Sequence, residues 1–102
     1  EPLQWSHAVW TANLDDDPDQ ELIIGQRDPN PKGAEGPRGP GVFYFDPKTD
    51  GETLTFDRHT IDDGGMGCED ALAADLDGDG RADIIAGGRS THNVRIYWNR
   101  KP

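Results

Sequence analysis

The sequence predicts an all-β chain made of about two four-stranded antiparallel units. Residues 7–27 overlay on residues 69–89 without a gap, pairing Asn13 with Asp75, Asp15 with Asp77, Asp17 with Asp79, Glu21 with Asp83, Gly25 with Gly87 and Arg27 with Arg89. Short β-branched and aromatic runs are bounded by clusters of Gly, Pro and Asp, the usual punctuation of strands. No segment keeps a period near 3.6, and glycine or proline interrupts each helical candidate.

In the first unit, residues 9–14 and 21–25 are expected strands, joined as a hairpin by the acidic segment between them. Residues 28–41 are a Pro/Gly-rich insertion whose composition suits an exposed loop. Residues 42–45 form a third strand. Residues 46–51, with Asp, Pro and Gly, have the composition of a turn, and residues 53–61 follow as a fourth strand in which Leu54 and Phe56 alternate with polar residues. In the second unit, residues 71–76, 83–87 and 94–98 repeat the first three strands, and the sequence ends before a fourth. The units are therefore expected at residues 1–62 and 63–102.

Repeated four-stranded antiparallel units stacked side by side are the blades of a β-propeller. The small residues Ala71, Ala73 and Ala74 suit a blade's innermost strand, where blades converge on the axis. About two blades make an incomplete propeller, since rings typically need four to eight. The missing blades are expected from a longer parent chain or from self-association with copies of this one. A solenoid-like stack is the structural alternative.

Only 32% of the chain is hydrophobic and its net charge is −10, so burial is marginal. An acidic excess argues against nucleic acid or an anionic membrane surface as partner, and no apolar run is long enough for membrane insertion. Metal cations suit it better. Cys68 is the sole cysteine, which excludes an internal disulfide and leaves packing, with a metal as staple, to hold the fold.

The metal expectation rests on residues 75–83. Carboxylates at Asp75, Asp77, Asp79 and Asp83 occupy positions 1, 3, 5 and 9 of a short loop with glycine at position 6. Alternate residues of a curled loop aim oxygens at one point, and calcium takes six to eight of them. The upstream copy at residues 13–21 carries Asp16 and Pro18 where the second has Gly78 and Gly80, and the neutral Asn13 in place of Asp75. It is expected to bind calcium more weakly or not at all. Neither loop is an EF-hand, because the twelfth position falls on Ala86 or Ile24 where a bidentate glutamate is required. Carboxylate-rich calcium loops are most useful where calcium is plentiful, so an extracellular or periplasmic location is expected.

Residues 75–83 followed by Ile84-Ile85-Ala86-Gly87-Gly88 resemble the FG-GAP or VCBS repeat, which builds calcium-bearing propellers. The resemblance implies metal ligands at Asp75, Asp77, Asp79 and Asp83 with the carbonyl of Arg81. In the first unit it implies Asn13, Asp15, Asp17 and Glu21 with the carbonyl of Asp19. It implies a scaffold or recognition domain, since such repeats carry many functions.

Catalysis has three candidate residues. The segments around His7, His59 and Glu69 are similar to propellers of the aldos-2-ulose dehydratase type, sugar lyases, where these groups would serve as base and acid for removing water beside a carbonyl. This chain has no cupin portion of that kind, so the chain alone is not expected to be an enzyme even where its parent is. Cys68 lacks a recognisable base and is expected to pack. Recurrence of Arg27 and Arg89 favours a structural ion pair. Carbohydrate is a conceivable ligand through Trp5, Trp10, Tyr44, Tyr97 and Trp98, although most of these lie in strands.

Overall fold

The computed structural model describes residues 6–29 and 40–100; Trp5 and most of the Pro/Gly-rich insertion lie outside the described residues. Among the described residues there are seven strands: β1 (Ser6–Ala12), β2 (Glu21–Gln26), β3 (Gly41–Asp50), β4 (Thr53–Asp63), β5 (Cys68–Ala74), β6 (Asp83–Gly88) and β7 (Asn93–Tyr97). They form two antiparallel sheets, of order β1-β2-β3-β4 and β5-β6-β7, and neither closes on itself. The all-β prediction holds at this level. Among the described residues no helix is present, so none is long and apolar enough to cross a membrane.

One local expectation is corrected. Residues 46–50 are not a turn: β3 runs on to Asp50, paired with β4 from Asp46↔Asp57 to Asp50↔Thr53. The reversal is confined to Gly51 and Glu52, where Gly51 takes φ +62°. Pairing of β3 with β2 ends at Leu22↔Phe45, so Pro47 sits where β3 has a single neighbour and its missing N–H is tolerated. The correction makes Asp46 a strand residue.

The sheets stack face to face with β1 against β5. Side chains alternate across a strand, so Ala8, Ile23 and Val42 fall on one face of the first sheet. They meet Ala71, Ile84 and Ala86 of the second sheet, with Cys68 and Met66, in one buried cluster. On the other face of the first sheet Phe43 is fully buried under the Arg58 guanidinium, 4.6 Å from the ring centroid. The outer face of the second sheet has no such cover, and Leu72, Val94 and Ile96 are exposed on it.

Asp62 ties the sheets together. Its carboxylate accepts hydrogen bonds from the Tyr97 hydroxyl (2.6 Å), the Arg95 guanidinium (2.8 Å) and the Gly65 N–H (2.9 Å). Burial alone would raise its pKa, but these donors prevail and hold it below the usual carboxylate value. A carboxylate depressed in the fold stabilises above its unfolded pKa and ceases to as pH falls through the folded one. Asp62→Asn is therefore expected to cost about 1.5–3 kcal/mol at neutral pH. In urea melts, the gap between wild type and variant should close in strong acid. A gap independent of pH would mean that the charge of Asp62 is not what joins the sheets.

Candidate metal centre

Each acidic loop links the first two strands of its sheet, so both lie at the same end of the stack. Short side chains curl them. In the first loop the N–H groups of Asp15, Asp17 and Asp19 donate to the side-chain oxygens of Asn13, Asp15 and Asp17, each two residues back. In the second, Gly78 and Gly80 at φ +76° and +87° wind the backbone round Asp75, whose carboxylate accepts the N–H groups of Gly78, Asp79 and Gly80. These donors, that of Gly80 foremost, lower the Asp75 pKa.

A buried carboxylate closes each loop. The Leu14 N–H donates to Glu21 Oε1, and at the position the overlay equates, the Leu76 N–H donates to Asp83 Oδ2. Glu21 and Asp83 are both fully buried. Two clusters result, Asp15 with Asp17, Glu21 and Asp46, and Asp75 with Asp77 and Asp83, in each of which one oxygen per residue lies within 4.8 Å of the others. Oxygen-only donor sets of this charge fit a hard divalent cation.

The electrostatics agree with the chemistry. Desolvation first, and then the charges of Asp15, Asp17 and Asp46, raise the Glu21 pKa against the hydrogen bond from Leu14. Desolvation and the neighbouring Asp79 and Asp83 likewise raise Asp77. Such mutual repulsion is relieved by a bound cation.

Of the expected ligands, Asp15, Asp17 and Glu21 converge in the first loop and Asp75, Asp77 and Asp83 in the second. Like Asp15, Asp17 and Asp75, the remaining loop residues hydrogen-bond within their loops. Asp79 Oδ1 accepts the Arg81 N–H, Asn13 Nδ2 donates to the Asp17 carbonyl, and the Asp19 N–H donates to Asp17. The Arg81 side chain reaches Asn99 and Asp16, and Asn99 in turn donates to the Leu14 carbonyl and to Asp83, joining the two loops. Asp46 is the residue that sequence reasoning missed. Residues 46–50 have turn composition, so no local signal pointed to it.

At the opposite ends of β1 and β5, His7 and Glu69 are the bulge residues of their strands and come within 3.5 Å of each other. Arg27 (3.8 Å) and Arg89 (3.6 Å) also approach Glu69, which makes it the hub of an ion-pair cluster. His59 is not part of it. It lies on β4 and stacks on Tyr44 with ring centroids 4.6 Å apart. Cys68 is buried, and burial pushes its thiol up to about 11, so it stays protonated and is a poor nucleophile. Tyr44, Tyr97 and Trp98 line one cleft between the sheets, whereas Trp10 lines a separate surface depression.

The fold and its paired loops define a class: a two-sheet all-β chain with an acidic, cation-competent hairpin connection in each sheet. No protein family, characterised protein or solved structure matches the chain.

Proposed function

We propose that the chain is a calcium-binding repeat module of the FG-GAP or VCBS type, an incomplete β-propeller that serves as a scaffold or recognition domain outside the cytoplasm. The observation that carries this reading is the gathering of carboxylates at equivalent hairpins of two stacked sheets. Calcium holds together acids that otherwise repel, so its role is structural. The exposed apolar outer face of the second sheet suits further blades of a parent chain or a copy of this one. The aromatic cleft of Tyr44, Tyr97 and Trp98 is the surface best suited to a flat ligand such as a sugar ring.

Calorimetric titration with calcium tests the proposal. Saturable binding is expected, with a dissociation constant of roughly 10⁻⁴–10⁻³ M or tighter, as for extracellular calcium modules. Replacing Asp75 and Asp83 together by Asn should weaken it. No saturable heat in wild type would defeat the reading.

A further inference from the structure

We infer that the first acidic loop is a composite cation site whose fourth carboxylate, Asp46, comes from β3 rather than from the loop. The inference rests on the calcium reading above and changes which residues make the site.

Pairing between β2 and β3 places the residue. The last pair is Leu22↔Phe45, and one step further the antiparallel register sets Glu21 beside Asp46. Glu21 is fully buried and Asp46 is 8% exposed. Each divides its two oxygens in the same way. Glu21 Oε1 accepts the Leu14 N–H and Asp46 Oδ2 accepts the Lys48 ammonium at 3.0 Å, which fixes both carboxylates in orientation. Glu21 Oε2 and Asp46 Oδ1 are buried and have no hydrogen-bond partner among the described residues.

A bare buried carboxylate oxygen is costly, and two in one cluster with Asp15 and Asp17 are more so. A hard cation satisfies both at once. Four carboxylates exceed the charge of a divalent ion, which favours tight binding and also a trivalent lanthanide. The second loop lacks this arrangement. Both oxygens of Asp83 are already engaged, by the N–H groups of Leu76 and Asn99. The last pair there is Ile84↔Tyr97, so the residue beside Asp83 is Trp98. The first loop, poor in glycine, is thus the site better supplied with buried charge.

The test is calcium calorimetry on the full chain, with Asp77→Asn to disable the second loop. Asp77→Asn should retain one site, and adding Asp46→Asn should weaken that site by about tenfold or more. Thermal melts of Asp46→Asn separate a ligand from a merely structural residue. The metal-free midpoint should hold or rise, because a repelling charge is gone, while the rise produced by calcium shrinks. Unchanged affinity on adding Asp46→Asn, or loss of all binding in Asp77→Asn while wild type binds, would overturn the composite site and leave the calcium reading standing. Absence of binding in wild type would overturn both.

Discussion

Chelating calcium is expected to lower the thermal midpoint by about 10–20 °C, taking about 2.7 kcal/mol for a ligand at one hundred times its dissociation constant and 4–8 °C per kcal/mol for a domain of this size. The expected effect is large because an ion held by these clusters would bind the folded chain and not the unfolded one, whose carboxylates are dispersed. In the fold, Glu21 and Asp83 are fully buried and the acids around them gather within 4.8 Å of one another. Without a cation that repulsion opposes folding in a chain with a small apolar core. Differential scanning calorimetry in calcium and in chelator measures the difference. A midpoint that does not move would sink the structural role, and an equal rise with magnesium would show that the sites do not select calcium by size and coordination number.

The fold was legible where local chemistry and tertiary context agree. β-branched and aromatic runs bounded by Gly, Pro and Asp marked the segments that became β2, β6 and β7, and the alternation of Leu54 and Phe56 marked β4, because extended backbone favours such side chains and the turns need those residues. The curl of residues 75–83 was legible because glycine at positions 78 and 80 and alternate acids are local requirements of such a loop. Asp46 was not legible. Asp-Pro-Lys-Thr-Asp has the composition of a turn, and only pairing with β4 holds it extended. Whether a loop's acids are joined by another from a neighbouring strand depends on register, which local composition does not report. The same holds for the histidines: His7 reaches Glu69 through two bulges, while two intervening strands keep His59 off β1.

Gly25 and Gly87 occupy equivalent positions in the overlay, yet substitution at them should have opposite results, because only one of the two faces is covered. A Cβ at Gly25 would run into the Cys68 side chain and Ala8, whereas one at Gly87 would meet nothing within 4 Å. Gly25 lies on the face that packs against the second sheet, with Cys68 fully buried above it. Gly87 lies on the outer face that carries Val94 and Ile96. Gly25→Val should therefore cost about 3 kcal/mol through overpacking. Gly87→Val should change stability by no more than about 0.5 kcal/mol, since a strand position with open space at its Cβ tolerates a β-branched residue. Urea melts of the two variants side by side measure the contrast, and equal losses would mean that the packing of the two sheets is misassigned. Where copies of the chain or further blades stack on the outer face, Gly87 acquires the cover that Gly25 already has. Light scattering tests that stacking: if wild type self-associates through this face, Gly87→Val should hold the chain as a monomer at concentrations where wild type assembles.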